Sequence, residues 1–281
     1  MQIIDLSTNI EDTLSEPMKV KINTQPHSGG TKFGRKLVFF GKGGFATRVK
    51  KIIRYVNGSE RITKNSFPDK EFINEERISL STHTGTHMDA PAHFGTTCEN
   101  RKPKTIDEIP LEWCYGDGVL LDFSNSKPGE EITVENIKDK VKAIGYTLKP
   151  LDIVLIYTGT DKLWGKPDYF YHAPGLGREA VAYLISEGIK IIGIDTYSLD
   201  RPIMTMVNDY YKTKDKRVLW PAHFIGREYE YCHIERLANL NKIKRNFGFK
   251  VSCFPIKLKG LSAGWIRAVA IIEEEKDDNG I

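Results

Sequence analysis

The sequence predicts an α/β domain built on a mixed β-sheet, and three observations carry that reading. Apolar, β-branched runs alternate with helical patterns through the second half of the chain, as in DIVLIYTG, PGLGREAVAYLISEG and IKIIGIDT. The 281 residues are 40% hydrophobic and 28% charged, a balance that buries a core and argues against disorder. No internal repeat and no linker divides the chain, so it reads as a single domain over residues 1–281.

In chain order, MQIIDLS predicts a short opening strand. Residues from about 8 to 75 read as a loop-rich excursion. Its stretch GGTKFGRKLVFFGKGGFATRVKK is rich in Gly and Lys around one apolar knot, Leu37 to Phe40, and predicts a hairpin. ERISLSTH is a strand, and so is GDGVLLDFS after a turn. Val134, Ile137, Val141 and Ile144 recur at helical spacing, with Thr133 and Asn136 to open that helix and Gly145 to close it. DIVLIYTG is a buried strand, GREAVAYLISEG a helix ending at Gly188, and IKIIGIDT another buried strand. FKVSCFPIKLKG and WIRAVAIIEE supply two late strands, and an acidic tail from about 273 to 281 frays at the end.

Several classes of function are set aside by composition. No apolar run approaches the roughly 18 residues of a membrane span, and the N-terminal residues lack the pattern of a signal peptide. Cys98, Cys114, Cys232 and Cys253 form no CxxC pair and read as reduced thiols of a cytoplasmic protein. A net charge of +4 is too mild to imply nucleic acid. Basic residues gather from Lys32 to Arg61 (with Arg35, Lys36, Lys42, Arg48, Lys50, Lys51 and Arg54 between), which reads as a solvated surface. GKGG at 41–44 lacks the spacing and the Ser/Thr of a phosphate loop. Gly260-Leu261-Ser262-Ala263-Gly264 matches GxSxG, but no histidine follows it and a strand does, so it reads as a turn between strands.

The chemistry concentrates in THTGTHMDAPAHF, residues 82–94. Three of the seven histidines, His83, His87 and His93, fall within eleven positions, with Asp89 among them. Neutral imidazoles and a carboxylate are the usual ligands of zinc and related ions. Gly85 and Pro91 break any regular helix, and a bent loop can aim His83, His87 and Asp89 at one point while leaving coordination positions open for catalysis. Thr84 and Thr86 are placed to steady those ligands. His93, beyond Pro91, is assigned to proton transfer, for which an imidazole is suited near neutral pH.

HTGTHMDAPAHF resembles the signature HxGTHxDxPxH of the cyclase family, which includes bacterial kynurenine formamidases and isatin hydrolases. The resemblance extends to MQIIDLS, to YHAPGLGREAVAYLISEGIKIIGIDTYSLDRP and to LKGLSAGWIRAVAI. It implies a metal-dependent hydrolase of swivelling β/β/α fold that assembles as a homodimer or homotetramer. It implies metal ligation by His83, His87 and Asp89, with His93 as the catalytic group. In two-metal members a His is followed twelve residues later by Glu, and His223 and Glu235 reproduce that spacing. One or two divalent ions, Zn or Mn, are therefore expected, with Asp89 bridging. The implied reaction is hydrolysis of a C–N amide bond in a small molecule, an arylformamide first and a cyclic, isatin-like lactam as the alternative. The long excursion and TGTDKLWGKPDYFYHAPGLG depart from the short formamidases and put a kynurenine-derived substrate in doubt. Readings of another class are a non-haem iron oxygenase, since two His and one carboxylate are its ligand set, and a catalytically silent metal- or partner-binding protein that uses the basic segment.

Trp164, Tyr169, Phe170 and His172 surround a Gly/Pro loop and are candidates for the substrate wall. Asp195 and Asp200 flank a predicted strand end, where α/β proteins place site residues, and Arg201 is expected to pair with one of them. His233 stands two residues before Glu235. On a helix the two face apart, and His233 is left out of the ligand set.

Overall fold

The computed structural model describes residues 1–29, 44–61 and 63–273. Two compact units emerge, one of residues 1–19 and 81–281 and one of residues 20–80. In the smaller, β2 (Lys21–Gln25) and β3 (Glu75–Ser79) pair antiparallel, Ile22 opposite Ile78. The same unit holds the helix α1 (Phe45–Val56), where the sequence reading expected only loops and a hairpin. The signal was present: Phe45, Val49, Ile52, Ile53 and Val56 recur at helical spacing, obscured by the flanking glycines. The expected hairpin around Leu37–Phe40, the cations Lys32, Arg35, Lys36 and Lys42, and the tail beyond Glu273 lie outside the described residues.

In the larger unit, nine described strands form one mixed sheet. Its parallel centre is β5 (Tyr115–Asp122), β7 (Ile153–Tyr157), β9 (Ile191–Ile194) and β10 (Cys232–Glu235). On one flank β11 (Phe249–Ser252), β13 (Val269–Ile272) and β1 (Gln2–Asp5) add on antiparallel. On the other, β4 (His87–Asp89) joins β10, and β12 (Ala263–Trp265) joins β4, again antiparallel. The remaining pair, β6 (Glu131–Ile132) and β8 (Gly175–Leu176), is separate. The α/β class with a mixed sheet is as expected.

β5, β7 and β9 are apolar on both sides because each side meets its own core. Ile153 and Leu155 of β7 pack into one buried cluster, Val154 and Ile156 into another. That alternation is the period of two that a strand imposes. Helices α3 (Val134–Ala143) and α4 (Arg178–Ser186) cover the second face with Ile137, Val141, Ala180, Val181 and Leu184. Thr133 and Asn136 cap α3 reciprocally, and Gly145 leaves it at φ +67°. Helix α5 (Ile203–Thr213) follows β9 and was not anticipated. Among the described residues no helix is long and apolar enough to cross a membrane.

Asp195, just past β9, ties this frame together. Its fully buried carboxylate accepts from the Thr158 amide at 2.9 Å, the Thr158 hydroxyl at 2.7 Å and the Gly159 amide at 2.7 Å. It therefore fixes the turn after β7 and is a structural group. Asp195→Ala leaves two amides without a partner and is expected to lower unfolding free energy by about 2–4 kcal/mol. Urea denaturation checks this, and a loss below about 0.5 kcal/mol would contradict the role.

Candidate metal centre

The site is assembled on the ladder between β4 and β10, where His233 stands opposite Asp89 and Glu235 opposite His87. Met88, Cys232 and Ile234 point into the first core cluster. Strand alternation therefore sends His87, Asp89, His233 and Glu235 to the other face, all buried. Opposed residues of an antiparallel pair have Cβ atoms about 4.5–5.5 Å apart, so these four side chains form one compact group. Here the sequence reading needs correction. The segment around His233 and Glu235 is a strand, not a helix, and two residues apart on a strand means the same face.

Three further histidines come from outside the sheet. His83 lies in a turn completed by Gly85 at φ +63°. His93 sits on the short helix α2 (Pro91–Phe94) and His223 on α6 (Pro221–Phe224). Both helices read Pro-Ala-His-Phe, with Pro at the first position, where its missing amide costs nothing.

Asp89 and Glu235 each offer one oxygen to a different group of imidazoles. Asp89 Oδ1 lies 2.9 Å from His83 Nδ1 and 3.6 Å from His87 Nε2. Asp89 Oδ2 lies 3.0 Å from His233 Nε2, 3.9 Å from His223 Nε2 and 3.8 Å from His93 Nε2. Glu235 Oε2 faces His87 Nε2 at 3.5 Å, and its Oε1 faces His223 Nε2 at 3.6 Å and His233 Nε2 at 3.3 Å. Burial raises the pKa of Asp89, but its imidazole neighbours, His87 first, overcome that and hold it well below the usual carboxylate range. Glu235 behaves likewise, held down chiefly by His233 and His87 against burial. For His93, burial outweighs the Asp89 charge and lowers the imidazole to about 4.

The ring nitrogens away from the centre are anchored. His87 Nδ1 donates to the Gly85 carbonyl at 2.9 Å, and His223 Nδ1 donates to Asp200 Oδ2 at 2.5 Å. Asp200 is fixed in turn by the amides of Ala222 at 2.7 Å and His223 at 3.2 Å. With Nδ1 as donor, each Nε2 keeps its lone pair for the centre. His87 Nε2 is buried and has no hydrogen-bond partner among the described residues. An orphaned imidazole lone pair between two ionised carboxylates fits a cation. Thr86 contributes as a tether: its hydroxyl donates to the Arg236 carbonyl at 2.5 Å and accepts from the Thr8 amide at 2.8 Å.

A cavity of about 270 Å³ opens over the centre, lined by His83, His93, His223 and Glu235 with Tyr197, Trp220 and others. Arg236 and Glu16 share its wall as a buried ion pair, Nη1 to both carboxylate oxygens at 2.7 Å. Arg236 takes φ +59°, an uncommon conformation for a bulky residue, and turns the chain sharply after Glu235. Glu16 also accepts from the Gly85 amide at 2.7 Å.

Trp164, Tyr169, Phe170 and His172 are not among the residues lining this cavity. Tyr169 is fully buried, its hydroxyl donating to the Asp195 carbonyl at 3.1 Å, and Trp164 packs edge-on against it while donating to Glu11 at 3.3 Å. His172 is exposed beside Asp168. Phe170 approaches the cavity only through Tyr197, at 4.7 Å between ring centroids. Asp200 serves the site by holding His223, which strand-end position alone had suggested. Arg201 pairs with neither predicted acid but with Asp209 at 2.9 Å and Glu131 at 3.8 Å. The residue the sequence reading missed is His233.

Comparison with known proteins places this geometry in a family. Residues 4–201 match the family model described as putative cyclase. The kynurenine formamidase of Geobacillus thermodenitrificans is 32% identical over 129 residues, 46% of this chain and 54% of that protein, and that of Bacillus mycoides is 30% identical over the same shares. The chain spans about half the length of the curated relatives it matches. Among solved structures, an isatin hydrolase bound to the product analogue thioisatinate superposes with a TM-score of 0.70 at 20% identity, over 97% of this chain and 93% of that one. Isatin hydrolase A from Labrenzia aggregata gives 0.67 at 22%, over 97% and 94%. These likenesses show a shared fold, and the family match, which carries His83, His87, Asp89 and His93 within it, makes the chain a member of the cyclase family.

Proposed function

We propose that the chain is a metal-dependent hydrolase of a C–N amide bond in a small molecule, arylformamides being the preferred substrates. The observation that carries this is the division of Asp89: one oxygen toward His83 and His87, the other toward His223, with Glu235 divided in the same sense. His83, His87, Asp89, His223 and Glu235 would hold one or two divalent cations, Zn or Mn. Cations there supply Lewis acidity, lowering the pKa of water and polarising a carbonyl. His93 is the group free to move a proton. Its side chain is 33% exposed, it lines the cavity, and its Nε2 reaches toward Asp89 without a hydrogen-bond anchor of its own in that direction. It takes a proton from the attacking water and returns it to the leaving nitrogen. Tyr197 and Trp220 line the cavity with aromatic rings, in keeping with an aryl substrate.

The relatives called kynurenine formamidase support the linear formamide. A cyclic, isatin-like lactam is the alternative, since opening it breaks the same bond type. A cytoplasmic location is supported by four buried cysteines, all free. A homodimer or homotetramer is the assembly proposed from the family resemblance.

Stripping the protein with a chelator is expected to abolish arylformamide hydrolysis and re-addition of Zn or Mn to restore it. A fully loaded protein that turns over neither formamide nor lactam would overturn the proposal. His93→Ala is expected to lower kcat by about 10²–10⁴-fold with metal content unchanged by elemental analysis. Asp200→Ala releases His223 Nδ1 and is expected to weaken metal affinity about 10–100-fold, read by competition with a chromophoric chelator.

A further inference from the structure

We infer that His233 is itself a ligand of the second cation, held in the ligating tautomer by Tyr231. The inference rests on the metal-dependent reading above and adds a residue to it.

A phenol has one proton to give. The Tyr231 hydroxyl gives it to the Ala222 carbonyl, 2.5 Å away. Toward His233 Nδ1, at 3.2 Å, the same oxygen can then only accept, so Nδ1 carries a hydrogen. With a hydrogen on Nδ1, the neutral form of the ring keeps its lone pair on Nε2. That atom points at two anionic oxygens, Asp89 Oδ2 at 3.0 Å and Glu235 Oε1 at 3.3 Å, in a fully buried setting. A lone pair facing two carboxylates at that range is repelled unless positive charge lies between them.

His223 repeats the arrangement from the opposite side. Its Nδ1 donates to Asp200, and its Nε2 faces the same two oxygens at 3.9 and 3.6 Å. Two imidazole nitrogens and two carboxylate oxygens, all within 4.8 Å of one another, thus share one centre. Their separations bracket the roughly 3.3 Å edge of a tetrahedron with ligand bonds of about 2.0–2.1 Å. Asp89 then has one oxygen beside His83 and His87 and the other beside His223 and His233, while Glu235 has one beside His87 and the other beside His223 and His233. The competing arrangement is a His233 imidazolium that binds no metal and donates from Nε2 to Asp89 Oδ2 at 3.0 Å; against burial, the Asp89 and Glu235 carboxylates favour it by raising the imidazole to about 9.

Calorimetric titration of chelator-stripped protein with Zn²⁺, with stoichiometry from elemental analysis, separates the two. The wild type is expected to take two ions per chain. His233→Ala is expected to keep one and to bind the other at least about 100-fold more weakly. Tyr231→Phe removes the acceptor on Nδ1 and is expected to weaken that same ion about 10–100-fold. Its small change of shape provides the readout should His233→Ala fail to fold. Two ions bound at wild-type affinity by either variant would overturn the assignment of His233 or of its tautomer lock and leave the hydrolase reading standing. A wild type that takes up fewer than two ions would overturn the assignment together with the two-cation reading, and one that takes up none would remove the metal-dependent hydrolase as well.

Discussion

The register of β4 against β10 is the constraint from which the centre follows. It sets Asp89 opposite His233 and Glu235 opposite His87, so two carboxylates are buried side by side on one sheet face. Two unscreened anions at such a distance in a protein interior are strongly disfavoured unless they are compensated. A slip of one residue would exchange His87 and Asp89 for Met88 and push polar groups into the apolar cluster behind the sheet. Register is therefore specified twice, by the packing of Met88, Cys232 and Ile234 on one side and by charge on the other.

The imidazoles are arranged to serve that pair of anions, and most are fixed from behind. Gly85, Asp200 and Tyr231 each engage the outer nitrogen of one ring. Among the described residues, neither His83 nor His93 has such an outer anchor. The Glu16–Arg236 pair extends the same logic to the backbone. Glu16 holds Gly85, beside the first ligands, and Arg236, beside the last.

Much of this was legible in the sequence, and the limits have physical reasons. The first group of proposed ligands is local: His83, His87 and Asp89 lie within seven positions, where the chain itself enforces proximity. His223 and Glu235 are remote and were reached only through resemblance. His233 was lost to a wrong period. In Cys232-His233-Ile234-Glu235 the apolar and polar residues alternate, the mark of a strand with one polar and one apolar face, but four residues are too few to outweigh the helical look of the flanking sequence. The aromatic loop at Trp164–Phe170 was credited with substrate because large rings near Gly and Pro can line a pocket or anchor a loop, and composition does not separate the two. The buried Tyr169 shows the anchoring use.

The span of the Glu16–Arg236 contact, 220 residues, has a consequence for biosynthesis. β1 is an edge strand that pairs with β13, so this edge of the main sheet forms only after Val269–Ile272 has been made. On a ribosome, the segment bearing His83, Asp89 and His93 emerges well over a hundred residues before β10. Through that interval a cluster of imidazoles and a carboxylate is exposed without the strand that completes it. Long-range closure is slow relative to local folding. The emerging segment therefore carries its imidazoles and Asp89 without Glu235 and His233, and the centre is assembled only after β10 has been made.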